Sequence, residues 1–255
     1  MRGLIGLILA VGAAPVLATD LESLRDCVRA NFPQESFQQS IRLTAVDRAG
    51  GERELVAELY GTQQGEERFG LVLQVEQPAD LANARYLLLA RDGRDDMYVY
   101  LPAVNRSRRI VGSMRGQPLW GTDFSYEDIK QLQGAMIDSP AEYVGQSTRA
   151  DRLQHQVTVT PAAEEESPYS RIELVLDDAS CLVTETRFYD DAGLAKRMHS
   201  DPGGFRRLDA RWAYQRVEMK NLRDQTTSVL ELGDLSYDPR LPRGLFHPKT
   251  FHIAH

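Results

Sequence analysis

Ile41-Arg42-Leu43-Thr44-Ala45, Leu55-Val56-Ala57-Glu58-Leu59 and Phe69-Gly70-Leu71-Val72-Leu73-Gln74-Val75 each place an apolar residue at every second position. Successive side chains of an extended chain point to opposite faces, so a period of two gives each segment one consistently apolar side. The Gly/Glu-rich stretch at 64–67 separates the last two. Three such runs in succession predict sequential antiparallel strands with one buried face.

The pattern extends in both directions. Tyr86 to Arg91 and Met97 to Leu101 flank the turn Asp92-Gly93-Arg94-Asp95, and Arg108 to Val111 follows. After Pro140 come Tyr143 to Thr148, then Leu153, His155, Val157 and Val159 on one parity. Ile172, Leu174 and Leu176 form the next strand, which pairs with Leu182 to Tyr189 across Asp177-Asp178-Ala179-Ser180. Trp212 to Met219 and Thr227 to Leu232 complete the series before an extended tail from Asp238. About ten short strands with turns at regular spacing argue for a barrel or sandwich. With so few helices to cover it, the apolar face is expected to remain partly open as a concave surface.

Two helices are expected. Thr19 and Glu22 form a capping-box pattern, after which Leu21, Leu24 and Val28 share a face with Cys27 beside them, pointing inward; Pro33 ends the run. Ser125 and Asp128 form a second such pattern opening a helix through Glu127, Ile129 and Leu132. Between strands and second helix lies an irregular stretch at 112–124, with Gly112, Gly116, Pro118 and Gly121 among Met114, Leu119, Trp120 and Phe124. An apolar loop followed by an amphipathic helix reads as a lid on the sheet.

Met1-Arg2-Gly3, the apolar run Leu4 to Ala14 and Pro15-Val16-Leu17-Ala18 form the three-part pattern of a secretory signal, cleaved after Ala18. The alternative is a buried N-terminal helix or an uncleaved anchor. No cysteine follows the cut, which argues against lipid anchoring there, and no later run is long and apolar enough to span a bilayer. Residues 19–255 then read as a single domain working in the periplasm. With 42% apolar and 26% charged residues the chain has material for a large core, and a net charge of −7 argues against a general nucleic-acid binder. Cys27 and Cys181 either pair, as expected in an oxidising compartment, or persist as two buried thiols; their spacing excludes a CxxC site.

Catalytic signatures are sparse. Gly145-Gln146-Ser147-Thr148-Arg149 lacks the final glycine of a nucleophile elbow, and Ser113 simply follows Gly112. Asp92, Asp95 and Asp96, like Asp190 and Asp191, occupy hairpin turns, where Asp is favoured for bonding the backbone. Among His155, His199, His247, His252 and His255, only the last two have a metal-like spacing, and no Cys/His cluster supports it. The expectation is a protein without catalytic residues, metal or cofactor. Two concentrations remain. Arg106, Arg108, Arg109 and Arg115 suit phosphate or carboxylate recognition, although arginine dominates throughout and the only lysines are Lys130, Lys196, Lys220 and Lys249. Tyr98, Tyr100, Trp120, Phe124 and Tyr126 gather aromatics near the lid, as core packing or as a ligand surface.

The stretch Asp96-Met97-Tyr98-Val99-Tyr100-Leu101-Pro102-Ala103-Val104-Asn105-Arg106-Ser107-Arg108-Arg109-Ile110, followed by Gly116-Gln117-Pro118-Leu119-Trp120-Gly121-Thr122-Asp123-Phe124-Ser125-Tyr126-Glu127-Asp128, resembles the LolA-like outer membrane lipoprotein-sorting family (the LolA/LolB-like superfamily). Trp212, Met219-Lys220-Asn221, Thr226-Thr227 and Leu241-Pro242 before Phe246 resemble its C-terminal pattern. The resemblance implies a mainly β (α+β) fold, an incomplete antiparallel β-barrel wrapped around a few helices, with a cavity for acyl chains. On that basis Tyr98, Tyr100, Leu101, Ile110, Met114, Leu119, Trp120 and Phe124 are expected to bind lipid, and Arg106, Arg108, Arg109 and Arg115 to meet head groups or a partner. The implied function is a monomeric periplasmic carrier of lipid or lipoprotein acyl chains, exchanging cargo with a membrane partner such as an inner-membrane transporter. A lipid-sensing adaptor that regulates a membrane transporter or signalling protein is the alternative, and a secreted hydrolase is disfavoured by the missing nucleophile. N-terminal sequencing of the exported protein should begin at Thr19; an intact Met1 would refute the cleavage.

Overall fold

The computed structural model describes residues 21–63, 68–91, 94–132 and 139–254. The signal segment, the Thr19 cap, the 64–67 turn, Asp92, Gly93 and His255 lie outside the described residues. Helix α1 (Leu21–Ala30) leads into the strands β1 (Phe37–Val46), β2 (Glu52–Gln63), β3 (Arg68–Gln77), β4 (Arg85–Arg91), β5 (Arg94–Leu101) and β6 (Arg106–Ile110). Each pairs antiparallel with its predecessor as a meander. Helix α2 (Tyr126–Leu132) intervenes. The second half runs through β7 (Ala141–Arg149), β8 (Arg152–Val159), β9 (Arg171–Asp177), β10 (Val183–Asp190), β11 (Gly193–His199), the short hairpin β12 (Arg206–Leu208) and β13 (Arg211–Ala213), then β14 (Arg216–Asn221) and β15 (Thr226–Tyr237).

The large sheet has thirteen strands in the order β6-β5-β4-β3-β2-β1-β15-β14-β11-β10-β9-β8-β7. The halves join where β1 meets β15, with Leu43 opposite Leu230 and Ile41 opposite Leu232. Leu71 and Leu73 of β3 and Leu174 of β9 nevertheless border one common cleft. Strands so far apart in a flat sheet would be separated by roughly 30 Å, so the sheet must curl around its apolar face. Bulges in β1–β15, β2–β3 and β9–β10 add to that curl. β6 and β7 do not pair, so the structure is an open half-barrel.

The expected alternation is present: Ile41, Leu43, Leu55, Ala57, Leu59, Leu71, Leu73 and Val75 are all buried in one inner core. Several segments differ from the sequence reading. β11 was not anticipated, because Lys196 and Arg197 interrupt its apolar parity; only Ala195 and Met198 are buried. Trp212 to Met219 is not one strand: Trp212 lies in the separate β12–β13 hairpin and Met219 in β14. The tail is not extended but turns back on itself, with Thr250 and Phe251 N–H groups bonding the His247 carbonyl. It covers the outer face of β3–β5, where Val72, Leu87 and Leu89 pack with Leu245 and Phe251. Buried Arg85 donates there to the carbonyls of Phe251 and Ala254.

Two devices fix the helices. The Ser125–Asp128 capping box forms as expected: Asp128 N–H donates to Ser125 Oγ (3.2 Å) and Ser125 N–H to the Asp128 carboxylate (2.7 Å). Asp128 is fully buried and also accepts from Tyr169 Oη (2.6 Å) and Lys196 Nζ (2.9 Å), which anchors α2 to β11. Helix α1 is tied by the disulfide Cys27–Cys181, with a Cα–Cα distance of 5.8 Å. Cys27 is exposed and flanks the buried Leu24/Val28 stripe, so it does not point inward. Its partner sits in the turn before β10, not on a strand, at a positive φ of 56°. Asp177 holds that turn by accepting from the Ser180 backbone (3.0 Å) and hydroxyl (2.7 Å), while Arg152 grips it bidentately at 2.7 Å.

The bond closes a separation of 154 residues, for which the loop-entropy argument gives about 5 kcal/mol. Replacing both cysteines by alanine should lower the urea-unfolding free energy by about 3–5 kcal/mol. A loss below about 1 kcal/mol would show that the unfolded chain is not constrained by this link.

Candidate functional site: an apolar cleft under the first helix

Between α1 and the concave face the side chains leave a solvent-connected cleft with a cavity volume of about 170 Å³. Its floor is built from inner-face residues of both halves: Leu43 and Leu59, Leu71 and Leu73, Leu174, Met198, Val217 and Leu230. Val28 and Phe32 form the roof, and Ile129 and Leu132 of α2 close one side. The cleft exists because α1 spans only ten residues, about 15 Å, too short to cover the inner face of so wide a sheet. The buried Thr186 hydroxyl on the floor has no hydrogen-bond partner among the described residues.

Asn31, Phe32 and Pro33 after α1 and Leu208, Arg211, Trp212 and Ala213 of the β12–β13 hairpin border the cleft and are all partly exposed, unlike its floor, which puts the mouth between them. Polar contacts hold this hairpin in place. Asn31 donates to the Ser180 carbonyl (2.7 Å) and accepts from the Trp212 backbone N–H (2.8 Å), linking the α1 end to turn and hairpin. Tyr214 Oη accepts from the Val183 N–H at 2.8 Å; burial pushes its phenol pKa up and keeps it neutral. Arg211 pairs with Glu35 at 2.9 Å and stands over the Tyr237 ring at 5.6 Å. The hydrogen bond from Arg211 holds the Glu35 carboxyl below its ordinary pKa.

The residues singled out from sequence are placed elsewhere. None of the eight proposed lipid contacts borders this cleft. Ile110, Leu119, Trp120 and Phe124 are buried in the core, with Leu101 and Met114 packed against it, so the apolar residues of the 112–124 stretch plug the interior and do not form a lid. Trp120 adopts a positive φ of 49°, and its indole N–H is buried without a partner among the described residues. Tyr98 and Tyr100 lie on the outer face, because their parity is opposite to that of buried Met97 and Val99; they pack beneath the tail against Phe251 and His252.

The four arginines do not form one patch. Arg106, Arg108 and Arg109 are exposed on the edge strand β6, Arg109 paired with Asp96. Arg115 is buried, bonded to Glu127 at 3.0 Å beside Lys130, which itself pairs with Asp95 (2.6 Å) and Glu165 (2.7 Å). Burial raises the Glu127 pKa against the pull of these two cations. This network locks α2 to β5 and the 163–165 turn. His155 is likewise structural, held between Asp178 (2.8 Å) and Tyr143 (3.2 Å). Among the described residues no group of three or more His, Cys, Asp or Glu is placed to hold a metal, and no helix is long and apolar enough to cross a membrane.

What sequence reasoning missed is the hairpin. The signal was available in Arg206-Arg207-Leu208-Asp209-Ala210-Arg211-Trp212, where three apolar residues sit among three arginines, a pattern that suits a rim better than a central strand. The floor residues were recognised as an inner face but not as a cavity, since periodicity reports which side is apolar and not whether anything fills it.

This curled open sheet with a helix-roofed apolar cleft is the LolA-like fold. It matches a Vibrio parahaemolyticus domain classed with outer membrane lipoprotein-sorting proteins at TM-score 0.80 and 19% identity, covering 91% of this chain and 97% of that one. A DUF1329 family protein from Desulfovibrio piger matches at 0.78 and 22%, with 89% and 97% covered. A LolA superfamily protein from Nitrosomonas europaea matches at 0.69 and 20%, with 90% and 98% covered. No curated protein matches by sequence. A family model described as "Uncharacterized protein" spans residues 70–252, and the chain belongs to that family.

The lowered Glu35 pKa fixes the sign of a pH effect. A carboxylate whose folded-state pKa is depressed contributes its full stabilisation above the unfolded value and loses it as pH falls through the folded value. Phe at position 120 leaves Trp212 as the only tryptophan. In a Trp120→Phe background, acrylamide quenching of Trp212 should rise as pH falls below the ordinary carboxylate range. Adding Glu35→Gln should give the loosened signal at neutral pH and abolish the acid transition; unchanged quenching would show that the ion pair does not hold the hairpin.

Proposed function

We propose that this chain is a periplasmic carrier that shelters an acyl chain in the cleft under α1 and passes it to or from a membrane partner. In this reading residues 1–18 are a cleaved export signal, residues 19–255 act as one unit, and binding is non-covalent with no catalytic step. The observation that carries the reading is the solvent-connected apolar cleft, floored by side chains from both halves of the sheet. The lipoprotein-sorting description of the Vibrio domain of like fold points the same way. The bacterial periplasm is oxidising, which suits the Cys27–Cys181 bond.

The energetics suit reversible carriage. Burying a methylene contributes about 0.8 kcal/mol, so about ten of them give about 8 kcal/mol, equivalent to micromolar affinity before the cost of association is subtracted. Such a ligand is held through an aqueous space yet leaves readily for a membrane or a more apolar acceptor. The hairpin clipped by Glu35–Arg211 is the element whose opening admits and releases it.

Native mass spectrometry of protein purified without detergent from its export compartment should show co-purifying lipid. Leu232 and Leu235 are only half buried at the cleft wall, so charges there are tolerable to the fold. Leu232→Asp with Leu235→Asp should weaken binding of a fluorescent fatty-acid probe at least about tenfold, with circular dichroism unchanged. Unaltered probe binding in this variant, or a ligand-free protein that takes up no probe, would refute carriage in this cleft.

A further inference from the structure

Three arginines stand within six positions on the hairpin that frames the mouth, Arg206, Arg207 and Arg211, in a chain whose net charge is −7. Arg211 itself borders the cleft, and its carboxylate partner is Glu35. Arg206 and Arg207 are exposed. With the Gln215 amide oriented to satisfy its neighbours, Arg206 bonds that side-chain oxygen at 2.8 Å. Arg207 donates to the Asp209 backbone carbonyl at 3.2 Å and lies 5.6 Å from the Trp212 ring. Among the described residues neither has a carboxylate partner. Asp209, at the hairpin tip, is the only acid the hairpin itself carries.

The floor a few residues away is apolar, so the site joins a greasy interior to a rim of guanidinium groups. Guanidinium forks recognise carboxylate and phosphate oxygens in a bidentate geometry. The cleft is open to solvent, so a tail can lie along this floor while its head stays at the rim.

We propose that the cleft selects an amphiphile with an anionic carboxylate or phosphate head, and that the head replaces Glu35 on Arg211 while the apolar part lies along the floor. The proposal rests on the carrier reading above and gives it a ligand class and an opening step. Glu35 is then a built-in competitor: it keeps the hairpin down when the cleft is empty, and an arriving anion takes its place. Arg206 and Arg207 add attraction from the same rim. A cationic or uncharged head forgoes this exchange and leaves the clip closed over the tail.

The test compares decanoate, decyl phosphate, 1-decanol and decyltrimethylammonium at pH 8, below their micelle concentrations, by Trp212 fluorescence in the Trp120→Phe background and by calorimetry. Decanoate should bind about tenfold more tightly than decanol, the size of one charge-assisted bond, and decyltrimethylammonium most weakly. The ratio of decyl phosphate to decanoate affinity identifies the preferred head. The triple variant Arg206→Gln, Arg207→Gln, Arg211→Gln should bring the decanoate-to-decanol affinity ratio from about ten down to about one, with the ratio as the readout because loss of the clip acts on both probes alike. Glu35→Gln should tighten decanoate several-fold more than decanol, because only the anion competes with that carboxylate. Equal affinity for acid and alcohol in the parent protein, or an anion preference that survives the triple variant, would overturn the proposal while carriage stood. Failure of every ten-carbon probe to bind would remove the carrier reading itself.

Discussion

The pairing of the first strand with the last governs the rest of the molecule. β1 and β15 run antiparallel, with Leu43 opposite Leu230 and Ala45 opposite Ser228. That contact joins two sequential meanders into one sheet of thirteen strands. A sheet this broad, with native twist and bulges, curls toward its apolar side. The curl brings Leu71 of β3 and Leu174 of β9 to the same cleft, so the cleft is a product of long-range pairing and not of any local motif. Without the seam each half would expose its inner leucines to water.

A curled sheet needs its inner face covered, and the chain covers it unevenly. Part of it is filled by Leu119, Trp120 and Phe124, held by the buried Asp128 carboxylate with its bonds from Ser125, Tyr169 and Lys196. Another part lies under a ten-residue helix pinned at its side by the Cys27–Cys181 link. The packed part is fixed by charges that are costly to leave unpaired once buried. The open part is closed by Glu35–Arg211 and Asn31, groups at or near solvent, where an ion pair contributes little and exchanges easily. That gradient, from locked plug to light clip, is the structural basis for a site that fills and empties without unfolding.

Much of the scaffold was legible in the chain. Strand positions from Ile41 to Val75 followed from a period of two, and the second helix followed from Ser125 and Asp128. The failures are instructive. Tyr98 and Tyr100 looked like ligand contacts because aromatics cluster there, yet strand parity turns them outward beneath the tail. Arg115 was grouped with Arg106, Arg108 and Arg109 by nearness in sequence, but it is buried against Glu127 while the others stay exposed on β6. β11 escaped notice because Lys196 serves a distant carboxylate and breaks the apolar rhythm.

Local order therefore settled the inner face of the first strands, where the second helix begins and that two cysteines were available to bond, since each depends on neighbours within a few positions. Only the tertiary structure decided which inward-facing residues are packed and which line a cavity. Trp120 and Leu119 became a plug, whereas Leu43, Leu174, Leu230 and the Trp212 hairpin became the walls and mouth of a cleft. The physical reason is that emptiness is a property of the whole assembly. It depends on how far a thirteen-stranded sheet curls and how much of its face a short helix reaches, and neither quantity resides in any one segment of the chain.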